Sequence, residues 1–306
     1  MPLNTFNSVA KLPKKGSSIP SITFSNLSLV TTTTYLVADV SYRVFLIEGS
    51  DLTNNSTFTT NATLTNWSSN ITIYFLCIGA GGPGGRYEVS NGGGGGGGGF
   101  LDGNANIPGT PGIKNVSFSV PSKNLTGGSS LNAEMYIRND TSSITYLYAA
   151  AGGGGRGGLG YTTDGENGII PPGTGQVVKK IQGNGGGGGG IFSMRDTIGY
   201  YAGNLLNSGA NGSYVYSGGG GGSGGAASGT TAGIGSSVSS NTIGIYQRFG
   251  SNLFCVGGGG SPNSTTQGTN GNGLYGSGGG GSKTSSYISG QKGAIAIAIS
   301  MNDVPL

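Results

Sequence analysis

No histidine occurs anywhere in the 306 residues. That one absence removes serine–histidine and cysteine–histidine catalytic pairs, histidine-bound zinc and imidazole pH switching. Charge is scarce too: 8% of residues are Asp, Glu, Lys or Arg, against about 25% in an average domain. The 15 basic and 11 acidic side chains leave a net charge of +4. Basic residues gather only at Lys11, Lys14 and Lys15 and at Lys179 and Lys180, so there is no basic stripe of the kind nucleic acid requires. No nucleic-acid partner is expected. No apolar run approaches the ~20 residues of a membrane span, and no segment carries a helical apolar period between caps. The opening MPLNTFNSVAKLPKK has no secretory-signal core, so synthesis in the cytoplasm is expected. The eleven Asn-x-Ser/Thr sequons then read as composition rather than glycosylation.

With histidine gone, enzyme chemistry would fall to the carboxylates. They are scattered, and the one close loop pair, Asp164 and Glu166 in TTDGENG, has the Asp-Gly and Asn-Gly signature of a turn. A hydrolytic site would need two acids placed across a substrate, and a calcium site more oxygen ligands than this loop offers. GSGGGGSKT at Gly276–Thr284 has Ser282 where a phosphate-binding loop needs glycine before its lysine. Neither catalysis, nor a metal, nor a cofactor is expected.

What the chain has instead is glycine, 68 residues of it. It is concentrated at Gly79–Gly85, Gly92–Gly99, Gly152–Gly158, Gly183–Gly190, Gly218–Gly225, Gly257–Gly260 and Gly276–Gly281. Glycine loses more backbone entropy on ordering than any other residue, so the tracts need compensation if they fold. A regular Gly-X-Y period, which would mean collagen, is missing. Flexible linkers do not alternate with apolar runs such as Ile71–Ile78, Ile144–Ala149 and Ala294–Ile299. A side-chain-free chain can lie in an extended three-residue-per-turn helix of polyproline II type. Neighbouring strands of that kind can bond to one another through outward-pointing amides and carbonyls. Any Cβ in the interior would hold them apart, which singles out Gly95, Gly154, Gly187, Gly220, Gly258 and Gly279 as structural positions. Pro83, Arg86, Arg156 and Ser223 are expected on the outside or at the ends.

Cys77 in YFLCIGAGG and Cys255 in NLFCVGGGG sit in the same register, each next to last in an apolar run that empties into glycine. Both read as small, buried, free thiols at the end of a core strand. A third copy of the device, ITYLYAAAGGGG, has alanines there.

The expected fold is all-β: antiparallel, sandwich-like strands merged with a bundle of polyglycine II helices, without significant α-helix. Residues 1–33, marked by Pro2, Pro13 and Pro20, read as an extended arm that could add to a neighbour's sheet edge. Residues 34–300 form one domain, with a strand-rich part (34–150), a glycine-bundle part (151–292) and a closing strand (293–300) before a tail of 301–306. Strands are expected at 34–37, 42–48, 56–60, 71–78, 114–120, 133–138, 144–150 and 294–299.

The junction NITIYFLCIGAGGPGG, followed by GGGGGGGGFL and ending in GQKGAIAIAIS, resembles the glycine-rich domain of virion structural proteins, found in bacteriophage tail-fibre tips and in minor capsid proteins of large DNA viruses. The resemblance implies a polyglycine II body, a place in the virion, and partners among other virion proteins, either a major capsid protein or a fibre protein. No stalk-like repeat is present, and the arm with its Asn- and Thr-rich strands is more similar to a small capsid component. The alternative is an adhesin at a fibre or spike tip. In that case Tyr161, Tyr200, Tyr201 and Tyr287 would meet a host receptor, while Lys11, Lys14 and Lys15 are candidate contacts of the arm.

Overall fold

The computed structural model describes residues 21–37, 39–52, 56–65, 70–85, 92–107, 114–123, 132–138, 146–152, 178–181, 218–222, 225–235, 255–256, 258–260, 266–282 and 286–301. The described part is all-β, and among these residues no helix is long and apolar enough to cross a membrane. In chain order the strands are β1 (Ser21–Phe24), β2 (Val30–Val37), β3 (Val40–Glu48), β4 (Thr57–Thr65), β5 (Ile71–Ile78), β6 (Phe100–Ile107), β7 (Lys114–Pro121), β8 (Ala133–Arg138), β9 (Tyr146–Gly152), β10 (Val178–Ile181) and β11 (Ala294–Ser300). They form a six-stranded sheet, β1-β4-β7-β8-β9-β10, and a five-stranded sheet, β2-β3-β11-β5-β6. Every pairing is antiparallel except β9 with β10.

The strongest apolar runs became strands because both of their faces find cover. One core cluster takes Phe45 and Ile47 from β3, Phe75 and Cys77 from β5 and Ile295, Ile297 and Ile299 from β11, together with Leu64, Val116, Phe118 and Met135 from the other sheet. The sheets therefore share that core. Phe24 of β1 reaches across to it, with its ring centroid 5.1 Å from that of Phe45.

β11, the expected last strand, lies at the centre of its sheet, bonded to β3 on one side and β5 on the other. Its alternation of alanine and isoleucine is not the apolar-in, polar-out pattern of a half-exposed strand, since Ala294 through Ile299 are all buried. The isoleucines fill the shared core, and Ala294, Ala296 and Ala298 face the second cluster with Val44, Leu46, Leu76, Ile78, Cys255 and Tyr275. Small residues on that face let a glycine-rich segment settle close to the sheet.

The strands differ from expectation in the arm, at β4, at β6 and at β10; β4, expected at 56–60, runs on to Thr65. The arm begins to pair well before residue 34: Ser21–Phe24 forms β1 against β4, and β2 starts at Val30. Residues 1–20, with Lys11, Lys14 and Lys15, lie outside the described residues. β6, FLDGNANI, reads as a loop by composition, yet it pairs along its whole length with β5. The four-residue β10 was also too short to see.

Truncating Ile297 at the centre of the shared core, where it is 0% exposed, should remove contacts that no neighbour can restore. Ile297→Ala is expected to destabilise the fold by about 2–5 kcal/mol, read as a drop in the chemical-denaturation midpoint.

Candidate functional site: the glycine body and its seat on the sheets

At the ends of β5 and β6 the chain passes directly into glycine. Gly79–Gly85 and Gly92–Gly99 are buried throughout. Their main chains bond laterally, with Gly79, Gly82 and Gly85 N–H donating to the carbonyls of Gly99 (3.0 Å), Gly96 (2.8 Å) and Gly93 (2.8 Å). Each partner lies three residues from the last. Two other segments meet the 92–99 tract with the same period. The N–H groups of Gly92, Gly95 and Gly98 donate to Ser282 (3.0 Å), Gly279 (2.8 Å) and Gly276 (2.7 Å), and those of Gly94 and Gly97 donate to Gly218 and Gly221, both at 2.9 Å. Successive amides of one strand thus point to different neighbours. A pleated strand directs its bonds to two sides only.

Four of the glycines singled out from the sequence stand on one line of these bonds. Gly220 N–H donates to Gly258 O, Gly258 N–H to Gly95 O and Gly95 N–H to Gly279 O, each at 2.8 Å, and Gly279 N–H donates to Gly82 O at 2.9 Å. Gly154 and Gly187 lie outside the described residues. A Cβ built on Gly95 would fall inside the carbonyl oxygens of Gly82 and Pro83, and one on Gly220 inside that of Gly95. Added to Gly258 it would strike Gly279 O, and to Gly279 it would strike Ile288 O. These are backbone obstacles, which cannot swing away as a flexible side chain would.

Pro83 corrects an expectation, for it is buried within the first tract rather than at its outside. Gly79, Gly81, Gly82, Gly84 and Gly85 all donate a main-chain bond there, and proline occupies a position with no N–H to give. Its fixed φ near −65° is close to the polyproline II value. Arg86, Arg156 and Ser223 lie outside the described residues.

The two cysteines are free and fully buried but not equivalent. Cys77 sits in β5 and faces the core between the sheets, whereas Cys255 belongs to the cluster on the opposite face of the five-stranded sheet. Cys255 lies outside the named strands and has φ 54°, a left-handed backbone that non-glycine residues seldom adopt. There its N–H donates to Tyr275 O at 2.9 Å, and the next residue along that partner segment, Gly276, has φ 66°. A Cβ on Gly276 would lie 2.9 Å from Cys255 Sγ and 2.6 Å from Gly79 O, so the crossing admits no side chain. The shared register of the cysteines in sequence did not carry over, because Cys77 pairs with Ile295 within the β5 ladder whereas Cys255 has a left-handed backbone outside the described strands. Burial pushes both thiols well above their ordinary pKa, and for Cys77 the Glu134 carboxylate adds to it.

A small charged cluster fastens this body to the sheet ends. Tyr275, 6% exposed, donates its hydroxyl to Glu48 Oε1 at 2.8 Å. Lys292 Nζ lies 3.2 Å from Glu48 Oε1 and 3.1 Å from Asp51 Oδ2, and Lys123 Nζ lies 3.0 Å from Asp51 Oδ1. Main-chain bonds run beside it: Gly49 N–H donates to Gly293 O (3.1 Å), Gly293 N–H to Pro121 O (3.0 Å) and Gly276 N–H to Lys292 O (2.9 Å). Sequence reasoning passed over these side chains because their partners lie far along the chain, Glu48 and Tyr275 being 227 residues apart. Of the tyrosines proposed as contacts, Tyr161, Tyr200 and Tyr201 lie outside the described residues, and Tyr287 is half-buried beside Ile288, which bridges Gly84.

Gly95→Ala should therefore prevent folding or cost more than about 3 kcal/mol, while Gly225→Ala should stay within about 1 kcal/mol. At Gly225 the new methyl meets only the Ile234 side chain, at 2.9 Å, and Ile234 is 64% exposed and free to turn. Equal, mild losses in thermal denaturation would sink the close-packing argument.

Tyr275→Phe should cost about 1–3 kcal/mol, because it deletes a hydrogen bond to a carboxylate. The Lys123 bond, followed by Lys292, holds the Asp51 carboxyl below its ordinary value of 3.8. A lowered folded-state pKa stabilises above the unfolded value, so this contribution is complete above pH ~5 and is lost progressively as pH falls through the unfolded and then the lowered value. Asp51 is largely exposed, so the effect should be slight and should fade in 1 M salt. Melting curves of the parent and Asp51→Asn across pH 2–6 should converge at the acid end. Compared with known proteins, the chain matches no family model, no curated protein and no solved structure.

Proposed function

We propose that this chain is a non-enzymatic structural protein of a virion, a minor capsid protein. In this reading its glycine tracts form a bundle of polyglycine II helices set against a β-sandwich-like pair of sheets. It meets the major capsid shell through its sheet edges and N-terminal segment. The observation that carries the reading is the three-residue period with which Gly92–Gly99 bonds to three flanking segments. That is the periodicity of a threefold extended helix, and it occurs beside the strand-into-glycine junction on which, with the last strand, the resemblance to virion glycine-rich domains rests.

The energetics favour a structural role. Each lateral bond contributes only about 0.5–1.5 kcal/mol net, but the tract bonds at nearly every residue, and its neighbours are in turn bonded to others. Such a body resists local opening because no strand can leave without stranding the donors of several others. Rigidity of this kind suits a spacer wedged between larger proteins.

The test is to locate the chain in purified particles by cryo-electron microscopy or by immunogold labelling. Density within or beneath the shell is the expected result. Density at the tip of a fibre or spike would transfer the function to receptor-binding loops, and particles that lack the chain would remove it from the virion.

A further inference from the structure

Among the described strands, three of the four sheet edges are protected in ways proteins commonly use against strand addition. β1 and β10 are four residues each, and β10 carries Lys179 and Lys180. β6 carries Asp102 and Gly103 in its middle. The fourth edge is different. β2, VTTTTYLV, is eight residues long with no charge, proline or glycine, and no described strand lies beyond it.

Its outward groups can be identified. Glu48 N–H donates to Leu29 O at 3.0 Å, and the register runs on from Val30 opposite Ile47 to Val37 opposite Val40. In an antiparallel ladder, bonded and non-bonded pairs alternate. Thr31, Thr33 and Tyr35 therefore bond inward to β3, and the amides and carbonyls of Thr32, Thr34 and Leu36 point away from the sheet with the carbonyl of Val30, whose own amide donates to Leu27 O at 3.1 Å. Thr32, Thr34 and Leu36 have exposed side chains, Leu36 to 64%.

We infer that β2 is a self-pairing edge, and that two copies of this chain join antiparallel through it about a twofold axis at Thr33. Pairing about that residue sets Thr32 opposite Thr34 of the partner subunit and Val30 opposite Leu36 of the partner subunit. Outward residues then meet outward residues, so that Thr32 and Thr34 of the partner subunit exchange both bonds, while the Leu36 amide donates to the carbonyl of Val30 of the partner subunit and the Val30 amide keeps its bond to Leu27 O. The exposed leucine is covered by a valine, and threonine stands against threonine, a favourable cross-strand pair. An uncharged strand that matches itself under a twofold is what an isologous interface needs. The two five-stranded sheets would run on as one. This inference goes beyond the capsid reading and does not depend on it.

The test uses the full chain in sedimentation velocity over a concentration series, with two double variants. Thr32→Glu/Thr34→Glu places like charges opposite each other twice, and Thr32→Lys/Thr34→Glu places opposite charges there at the same positions. The carboxylate that either variant introduces at position 34 also gains an internal neighbour, since Arg43 stands opposite Thr34 on β3 and its buried Nη2 has no hydrogen-bond partner among the described residues. The parent should dimerise. The doubly acidic variant should dissociate at about tenfold higher concentration or more, and the mixed-charge variant should remain a dimer. Hydrogen exchange on the parent provides a readout that needs no variant: amides of Thr32 and Thr34 should gain protection as concentration rises. A monomeric parent, variants that behave alike, or unchanged exchange at those amides would overturn the inference. Loss of dimer on removing residues 1–20 alone would give the edge to that segment instead and overturn it too.

Discussion

Close approach of backbone to backbone is the constraint on which the rest of this structure depends. In an ordinary core, side chains set the distance between strands. In the glycine body the carbonyl of one tract occupies the space a Cβ would take on the next, as Gly82 O does for Gly95 and Gly95 O for Gly220. The entropy glycine loses on ordering is offset by main-chain bonds made in several directions from a single strand. Because those bonds satisfy the amides and carbonyls of tracts that are fully buried, the body can be dry without being apolar.

Two kinds of architecture meet in the molecule, and residue size decides how they join. On β11 the isoleucines face the core shared by the two sheets, and the alanines face the glycine-rich side with Cys255 and Tyr275. Larger residues at Ala294, Ala296 or Ala298 would lift that segment away from the sheet, and with it the crossing of Gly79, Cys255 and Gly276. The left-handed backbone of Cys255 is tolerated where the surroundings leave no alternative. Glu48, Asp51, Lys123 and Lys292 complete the seat at its rim, in a chain with few other charges to spare.

Much of the sheet structure could be read from local pattern. Ile71–Ile78 and Ala133–Arg138 have the bounds expected of them, since β-branched and apolar side chains concentrated between turn residues admit little else. β6 could not be read that way. Asp102, Gly103, Asn104 and Asn106 are poor strand formers, and they pair because β5 presents a complete row of partners. β1 was hidden for a related reason: four residues have too little pattern to announce a strand, and β4 organises them from 38 or more positions away, as Phe24 opposite Ala62. The charged seat was equally illegible, being made of residues whose neighbours are set by topology.

The sequence by itself determined the all-β character, the buried cysteines and the need for glycine at positions such as Gly95 and Gly258. These follow from composition and from side-chain size, which act locally. Only the tertiary structure decided which tract lies beside which, that β11 lies at the centre of its sheet, that Pro83 is buried, and that the two cysteines occupy opposite faces of one sheet. Glycine carries no side-chain pattern by which one tract could select another. The pairing of Gly79–Gly85 with Gly92–Gly99 is instead set by β5 and β6, the paired strands that these tracts adjoin.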